Sequence, residues 1–430
     1  MKTELLFKLF KESKGIATDS RTVQRGELFF ALWGENYNGN KFAAEALEKG
    51  ASYAVIDDPL CEGERTILVE DCLFELQALA SQYRRDLKVP VLAITGTNGK
   101  TTTKELLAAI MAKKLKVHYT QGNLNNHIGV PLTILSAPED TEMMIIEMGA
   151  NHIGEIRTLC LVAKPDYGIV TNIGAAHIEG FGSFEGVVKA KTELYEYLRK
   201  VNGIAIYNDK NTLLAEKIFR ILNRAVPYSD PTGIDLTVKK IPSDLYLRLS
   251  VTYQHQTHTI GTNLFGDHNL ENARAAIAAG LFFGAEMHDI ADAIEAYQPA
   301  NNRSQVKTTG RNTLICDSYN ANPVSMSNAL ESFAAIKAEG KMAILGDMLE
   351  LGEKTEDEHS KILKLLLSSG IEKAILVGPV FSKIAKKSDF LLFHDVNKLM
   401  DHLKSEPIKG QTILVKGSRG TGLEKIYDLL

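Results

Sequence analysis

Short apolar runs alternate with helical patterns in the first part of the chain. The pattern predicts strands at residues 27–32 and 53–56, with a helix at residues 41–50 between them. A charged helix then leads to Val89-Pro90, after which a new buried strand is predicted. A small α/β domain is therefore expected at residues 1–88.

The following segment begins with a strand, a glycine-containing loop and a helix, and further buried strands are predicted at residues 143–146 and 167–171. Strands separated by helices in this way imply right-handed crossovers and a parallel sheet. Residues 235–266 alternate like half-exposed antiparallel strands and are expected to extend one edge of this central domain. A break at residues 298–302 closes the central domain, predicted at 89–298.

Strands and helices alternate again beyond that break. The predicted strands cover residues 313–316, 342–345, 374–377 and 412–415, with helices between them. This pattern predicts a doubly wound domain at residues 299–430.

Composition and charge narrow the functional class. The chain has 430 residues, of which 44% are hydrophobic and 24% charged, and its formal net charge is -4. Without long basic runs, this balance argues against nucleic acid or an anionic membrane as partner. Its four cysteines form no CxxC pair, as expected of reduced thiols. Since no signal peptide or long uncharged apolar run is present, we expect a cytoplasmic protein without membrane insertion, and nothing demands more than a monomer.

The segment of residues 95–102, here called the phosphate loop, carries the clearest chemistry. A buried strand precedes Gly-Thr-Asn-Gly-Lys-Thr-Thr and a helix follows, which is the context that a P-loop requires. Its glycines permit a sharp turn, the helix start favours anions, Lys100 neutralises phosphates and Thr101 offers a hydroxyl to Mg²⁺. The usual first glycine is replaced by Ile94, so the loop is a shortened variant. The predicted ATP-binding residues here are Gly96, Thr97, Asn98, Gly99, Lys100, Thr101 and Thr102.

These observations predict an α/β fold of three domains. They are a small N-terminal α/β domain, a central P-loop mononucleotide-binding domain with a parallel sheet, and a C-terminal doubly wound, Rossmann-like domain. Mg²⁺ prefers oxygen ligands, and Glu147 stands where a predicted central strand ends. A glutamate in such a place is otherwise merely solvated.

Two further motifs reveal a family resemblance. Residues 174–183 read GAAHIEGFGS, and residues 189–193 read KAKTE. Together with the phosphate loop they closely resemble the Mur ligase family of bacterial cell-wall synthesis, over essentially the whole chain. The resemblance implies that Glu147 and His177 are metal ligands and that Lys191 is carbamylated by CO₂. A plain Lys191 would otherwise be a surface or phosphate-facing cation, and His177 could alternatively be a general base.

The same resemblance assigns further nucleotide contacts. It implies that Asn269 and Asn272 face the adenine end of ATP, that Arg303 reaches the phosphates and that Asp317 touches the ribose. From the pattern alone, Asn269 and Asn272 could equally be helix caps. The expected catalytic residues are then Lys100, His177, Lys191 and Arg303.

Other segments resemble one branch of the family, which adds D-alanyl-D-alanine to UDP-N-acetylmuramoyl-tripeptide through an acyl phosphate. They are residues 19–21, 122–131, 317–323 and 346–352. Substrate contacts implied by this resemblance are Ser20, Arg21, Asn123, Asn125, Asn126, Asn320 and Asn322. The asparagines of residues 122–131 could instead only stabilise a turn.

There are three alternatives to this ligase function. The ligase that adds the third amino acid has a diaminopimelate-specific form with the tetrapeptide Asp-Asn-Pro-Arg, which is not found here. Folylpolyglutamate synthetase uses the same phosphate loop, but its chain begins close to that loop. The separate N-terminal domain predicted here argues against this alternative. A degenerate ATP-binding module is disfavoured because Lys100, Thr101, Glu147, His177 and Lys191 are all retained.

Overall fold

The computed structural model describes residues 2–34, 37–174 and 178–430. Its first part contains a parallel sheet of strand order β1-β2-β5-β6, beside which β3 and β4 pair with each other in antiparallel orientation. The elements are α1 (Lys2–Glu12), β1 (Ile16–Ala17), β2 (Leu28–Phe30), β3 (Trp33–Gly34), β4 (Tyr37–Asn38), α2 (Ala43–Glu48), β5 (Tyr53–Ile56), β6 (Thr66–Leu68) and α3 (Cys72–Leu87), with 3₁₀ turns at Gly39–Phe42 and Pro59–Cys61.

The predicted strand at residues 53–56 is confirmed, whereas the predicted helix at residues 41–50 is shorter. Its first residues belong to the 3₁₀ turn that precedes α2. A side chain at Gly39 would lie 2.4 Å from the carbonyl oxygen of Leu32, so the turn packs directly against the backbone of the neighbouring segment.

The central part is built on a parallel sheet of order β12-β11-β10-β7-β9-β8. Its elements are β7 (Val91–Thr95), α4 (Lys100–Met111), β8 (Val117–Tyr119), α5 (Gly129–Leu135), β9 (Met143–Glu147), α6 (Glu155–Ala163), β10 (Tyr167–Val170), α7 (Ile178–Phe181), α8 (Phe184–Val201), β11 (Ile204–Tyr207), α9 (Thr212–Ile221) and β12 (Ala225–Pro227). Every residue of β7 and β9 is buried, as expected for strands covered by helices on both faces.

Three antiparallel strands follow, namely β13 (Leu236–Ile241), β14 (Tyr246–Tyr253) and β15 (Gln256–Phe265). They form a separate sheet and do not add strands to the parallel one. Their inward side chains share an apolar cluster with residues of α4 and of two helices that come next, α10 (Asn269–Phe282) and α11 (Met287–Ala296). The alternation of the sequence predicted the strands correctly, since one face of this sheet packs and the other is exposed.

The last part contains a sheet of order β16-β17-β21-β18-β19-β20, parallel apart from β16 at one edge. The elements are β16 (Gln305–Thr308), β17 (Thr313–Asp317), α12 (Pro323–Ala335), β18 (Lys341–Gly346), α13 (Thr355–Ser368), β19 (Lys373–Val377), α14 (Pro379–Ile384), β20 (Leu391–Phe393), α15 (Val396–Ser405) and β21 (Thr412–Lys416), with 3₁₀ segments at Gly352–Lys354, Arg419–Thr421 and Leu423–Leu429. Two apolar clusters divide alternate side chains of the buried strands between them. The predicted α/β, three-domain fold with a doubly wound third domain is confirmed.

Strand register places the phosphate loop beside a candidate metal ligand. Ile94 of β7 pairs with Glu147 of β9, and Thr95 pairs with Val170 of β10. The carboxyl ends of these three neighbouring parallel strands therefore meet where α4 begins, which is the edge of such a sheet where ligands bind.

Within the described part of the chain, no helix is both long and apolar enough to cross a membrane. The four cysteines are free thiols, and Cys72, Cys160 and Cys316 are buried.

Candidate active site

The phosphate loop is fastened to the segment that follows β10. The backbone N–H of Thr97 donates to the carbonyl oxygen of Asn172 at 3.0 Å, and the N–H of Asn98 donates to Asn172 Oδ1 at 3.0 Å. Thr171 Oγ1 donates to the carbonyl oxygen of Asn98 at 2.6 Å. Because these two N–H groups are already bound, the first turn of α4 is left to supply the N–H donors for a phosphate.

The start of α4 has the geometry of an anion site. Gly99 precedes the helix with φ +79°, and no side chain caps the first turn. Lys100 Nζ donates to the carbonyl oxygens of Gly96 and Thr97 at 2.9 and 3.1 Å, so the ammonium group folds back over the loop. Burial lowers the pKa of Lys100 and the positive charge of Arg303 lowers it further, while Glu147 opposes both. An anion placed here would gain from both the lysine and the helix dipole.

Two oxygens beside the loop are buried without a hydrogen-bond partner among the described residues. They are Thr101 Oγ1 and Glu147 Oε2. The other carboxylate oxygen, Glu147 Oε1, accepts from Asn125 Nδ2 at 2.8 Å. Glu147 is 1% exposed, so the interpretation of a solvated strand-end glutamate is wrong. A hydroxyl and a carboxylate oxygen that both lack a hydrogen bond fit a cation that takes oxygen ligands, although Lys104 Nζ lies 3.8 Å from the carboxylate oxygen.

Lys191 lies in α8 and is 3% exposed, so it is not a surface cation. Its ammonium nitrogen is 3.4 Å from the carbonyl oxygen of Ala150 and 5.5 Å from the centre of the Phe181 ring. Burial, reinforced by the charge of Lys100, lowers the pKa of Lys191 to about 7. The neutral amine is therefore more accessible near neutral pH than it is for an exposed lysine.

His177 lies outside the described residues. Among the residues that are described, no group of three or more His, Cys, Asp or Glu side chains could hold a metal ion. Beside the phosphate loop, the described oxygens that lack a hydrogen-bond partner and so remain available to a cation are those of Thr101 and Glu147.

Asn269 and Asn272 belong to α10, but neither caps it, because the cap residue is His268 and no side chain caps the first turn. Asn269 Nδ2 donates to the carbonyl oxygen of Phe265 at 2.7 Å, and its Oδ1 accepts from Asn272 Nδ2 at 2.8 Å. Asn272 reaches the phosphate loop, since a β-carbon at Gly99 would lie 2.0 Å from Asn272 Oδ1.

The third domain closes the cavity. Asn322 Nδ2 donates to Asn98 Oδ1 at 2.9 Å. The guanidinium carbon of Arg303 lies 3.7 Å from the centre of the Tyr319 ring. Asp317 Oδ1 accepts from the backbone N–H of Ser304 at 3.0 Å, and Asp317 Oδ2 pairs with Lys416 Nζ at 2.6 Å.

Most of the predicted site residues border one cavity of about 1130 Å³. These are Gly96, Thr97, Asn98, Gly99, Lys100, Thr101, Thr102, Asn125, Asn126, Glu147, Lys191, Asn269, Asn272, Arg303, Asp317, Asn320 and Asn322. A cavity of this size accommodates a nucleotide together with part of a second substrate.

Three predicted substrate contacts do not border the cavity, namely Ser20, Arg21 and Asn123. Ser20 is buried and its hydroxyl lies 3.4 Å from Glu45 Oε2, while Arg21 is exposed and pairs with Asp19. Asn126 Oδ1 accepts from the N–H groups of Ile128 and Gly129, so this side chain does stabilise a turn.

Lys104 is a residue of this site that none of the sequence motifs indicated. It is 0% exposed, donates to the carbonyl oxygen of Thr120 at 2.6 Å and lies 3.8 Å from Glu147 Oε2. Lys104 follows Lys100 by four positions and so shares its face of α4. That spacing was the available signal.

Comparisons with known proteins cover nearly the whole chain. The profile "Mur ligase family, catalytic domain" matches residues 12–114, "Mur ligase middle domain" matches 94–280, and "Mur ligase, glutamate ligase domain" matches 302–419. The chain is 35% identical over 429 residues to the UDP-N-acetylmuramoyl-tripeptide–D-alanyl-D-alanine ligase of Bacillus subtilis, covering 97% of this chain and 93% of that protein.

Solved structures agree. A crystal structure of MurF from Acinetobacter baumannii superposes with a TM-score of 0.85 at 28% identity, covering 98% of this chain and 97% of that one. MurF ligase from Thermotoga maritima in complex with ADP superposes with a TM-score of 0.84 at 26% identity, with the same coverage. The profile matches, the sequence identity and the shared fold show that this chain belongs to the Mur ligase family.

Proposed function

We propose that this protein is the ATP-dependent ligase that joins D-alanyl-D-alanine to UDP-N-acetylmuramoyl-tripeptide in the synthesis of peptidoglycan precursors. Two relatives of that name are 34% and 35% identical to this chain and cover 96% and 97% of it. The observation that carries the proposal is the cavity between the phosphate loop and the third domain, because it brings the ATP-binding groups and Asn322 of the opposite domain together. Both ATP and the UDP-linked substrate are cytoplasmic metabolites, which supports a cytoplasmic reaction.

The chemistry forms one amide bond at the expense of ATP. A carboxylate oxygen of the tripeptide attacks the γ-phosphorus, ADP leaves and an acyl phosphate forms. The free amine of the dipeptide then attacks the acyl carbon, the bond from carbon to the phosphate oxygen breaks, and a proton leaves the nitrogen. Lys100 and the first turn of α4 are suited to stabilise the charge on the transferred group, and Arg303 adds a second cation from the third domain.

A closed cavity suits this mechanism because an acyl phosphate is hydrolysed by water. The contact between Asn322 and Asn98 joins the third domain to the phosphate loop at the wall of this cavity, as closure of the two domains over the reactants requires. Asn269 and Asn272 are proposed to contact the adenine end of ATP, and Asp317, which pairs with Lys416, to contact the ribose; the position of all three on the cavity supports these roles. Asn123, Asn125 and Asn126 are proposed to contact the muramoyl side of the UDP-linked substrate, and Ser20 and Arg21 its nucleotide-sugar part, although Ser20, Arg21 and Asn123 lie outside the cavity. Asn320 and Asn322 are proposed as further substrate contacts.

We further propose that the reaction uses Mg²⁺, held by Thr101 and Glu147 with His177 and a carbamylated Lys191. Both unpartnered oxygens support the first two assignments. The lowered pKa of Lys191 supports the last, because CO₂ reacts with the neutral amine. Bound Mg²⁺ would supply a Lewis acid that neutralises the charge of the phosphates.

The direct test is to incubate the purified protein with ATP, Mg²⁺, UDP-muramoyl-tripeptide and D-Ala-D-Ala and to follow phosphate release. Release is expected to require both the tripeptide and the dipeptide. Release that is independent of the dipeptide would contradict the proposal. Substituting a pterin glutamate substrate tests folylpolyglutamate synthesis, which shares the fold.

The carbamate is tested by preparing the enzyme without CO₂ and bicarbonate. Activity is expected to fall and to return when bicarbonate is added. Lys191→Ala should be inactive in both conditions. Lys189→Ala, which changes an exposed lysine two residues away, is the matched control and should behave like the wild type. A wild type that is indifferent to bicarbonate would contradict carbamylation.

A further inference from the structure

Three loops meet at the carboxyl end of the third-domain sheet, and one buried serine joins them. The N–H of Ser418 donates to the carbonyl oxygen of Asp347 at 3.2 Å. Ser418 Oγ accepts from the N–H of Leu349 at 3.0 Å and donates to the carbonyl oxygen of Ala321 at 3.2 Å. The loops after β17, β18 and β21 are thus fixed to one another, at the edge where doubly wound sheets bind ligands. The next residue, Arg419, is held at that edge.

Arg419 is an exposed cation that forms no ion pair with any described residue. Its guanidinium carbon lies 5.7 Å from the centre of the Tyr319 ring, which borders the cavity. Arg303 contacts the same ring at 3.7 Å. One aromatic ring therefore carries two guanidinium groups, and this places Arg419 beside the cavity.

The other cations at this end of the third domain already have roles. Lys416 Nζ lies 2.6 Å from Asp317 Oδ2 and is committed to that carboxylate. Arg303 acts electrostatically on Lys100, so it lies towards the phosphate loop. Of these three third-domain cations, Arg419 is the one without such a commitment to a described residue, so it is available for a second anionic group beside the cavity.

An exposed apolar side chain lies next to Arg419. Leu349 is 48% exposed, and a β-carbon at Gly420 would lie 2.7 Å from Leu349 Cδ1. The hydrogen bond from its N–H to Ser418 Oγ fixes its backbone. An uncommitted guanidinium beside an exposed leucine suits a small ligand that has a carboxylate and a methyl group.

We propose that Arg419 binds the terminal carboxylate of the incoming dipeptide, and that Leu349 packs against its terminal methyl group. This inference rests on the proposed function and names the residues that recognise the incoming dipeptide. A guanidinium group pairs with a carboxylate through two parallel hydrogen bonds, and it thereby distinguishes a free carboxylate from an amide.

The test compares D-Ala-D-Ala with its C-terminal amide in the wild type and in Arg419→Met, by phosphate release and product formation. We expect kcat/KM of the wild type to be on the order of 10²-fold higher for the acid than for the amide. In Arg419→Met this preference should fall to a few-fold, because kcat/KM for the acid decreases. The kcat/KM for the amide and the KM for ATP should stay near their wild-type values.

Two further variants sharpen the result. Arg419→Lys keeps the charge without the planar fork and should keep an intermediate preference. Lys425→Met removes another exposed cation of the same terminal segment and should keep the full preference. Melting temperatures close to that of the wild type establish that each variant is folded.

A full preference for the acid in both Arg419 variants would overturn the inference. Loss of ATP binding in Arg419→Met would also overturn it, because the residue would then serve the nucleotide. Failure of the proposed function is recognised separately, since wild-type protein would release no phosphate that depends on the dipeptide, and this inference would fall with it.

Discussion

The side-chain amide of Asn322 donates to Asn98 Oδ1 at 2.9 Å and so joins the third domain to the phosphate loop. The same Asn322 is the N-cap of α12, where its Oδ1 accepts from the N–H of Ser325. One side chain therefore uses its carbonyl group for local structure and its amino group for contact between domains. The two uses can be separated, because aspartate retains an acceptor but lacks the donor.

Asn322→Asp is expected to fold as well as the wild type and to raise the KM for ATP by on the order of 10-fold. Its carboxylate keeps the helix cap, but it faces Asn98 Oδ1 and repels the phosphates. Steady-state kinetics and thermal unfolding measure the two effects. Asp395→Asn makes the reverse change at the N-cap of α15 and should leave the kinetics unchanged. An unchanged KM in Asn322→Asp would show that the contact does not matter for nucleotide binding.

Lys100→Ala is expected to lower kcat by about 10²–10³-fold, which corresponds to roughly 3–4 kcal/mol of lost transition-state stabilisation. The reason is that Lys100 places its charge over the phosphate loop, where the transferred phosphoryl group develops charge. Lys113→Ala, at an exposed position just beyond α4, is the control. Normal turnover by a folded Lys100→Ala protein would refute the assignment of the loop.

Gly99→Ala is expected to weaken ATP binding strongly, as measured by titration calorimetry with ADP or a non-hydrolysable ATP analogue. Gly99 has φ +79°, and a β-carbon there would lie 2.0 Å from Asn272 Oδ1. The loop or Asn272 must therefore move, and both belong to the nucleotide site. Gly63→Ala is the matched control, since no atom lies within 4 Å of a β-carbon at that glycine. Equal affinity in the two variants would contradict the geometry.

Glu147→Gln is expected to raise the Mg²⁺ concentration needed for half-maximal activity by at least about 10-fold. Glutamine keeps the shape and the acceptor for Asn125, but it loses the charge of the unpartnered oxygen. Binding of ADP in EDTA gives a readout without metal and should not change. Glu331→Gln, on the exposed face of α12, serves as the control. A Mg²⁺ requirement that stays the same would exclude Glu147 as a ligand.

Protein stability should decrease below about pH 6.5. His359 is fully buried, and its Nε2 accepts a hydrogen bond from the N–H of Met348 at 2.9 Å. In the native protein Nε2 therefore carries no proton and the imidazole ring is neutral. Burial lowers the pKa of His359. As the pH falls, His359 therefore binds a proton in the unfolded chain before it does so in the native protein. Its contribution to the free energy of unfolding is fully present above the pKa of the unfolded state and is lost as the pH falls towards the pKa of the native state.

Urea unfolding at pH 7.5 and pH 5.5 measures this effect. His359→Gln cannot gain a charge, so it should start less stable but lose less of its unfolding free energy between the two pH values. The partly buried His118 and His268, whose pKa values burial also lowers, add the same trend to both proteins. Equal losses in the wild type and in His359→Gln would contradict the prediction.

The amino-acid sequence determined the local features of this protein. Strands such as Tyr53–Ile56 and Val91–Thr95 follow from runs of apolar residues, because burial of a strand requires apolar side chains on both faces. The phosphate loop follows from Gly99 and Lys100 between a strand and a helix, because phosphate binding depends on a short piece of backbone. Features of this kind are determined by residues that are neighbours along the chain.

Only the tertiary structure decided which distant residues meet. Asn98 and Asn322 are 224 positions apart and come into contact only when two domains close. The pattern could not show that Lys104 is buried near Glu147 or that Ser20 and Arg21 lie away from the cavity. The physical reason is that a polar side chain carries no periodic signal, and its partner depends on how sheets and helices pack. The sequence therefore determined the phosphate loop, and the fold decided what surrounds it.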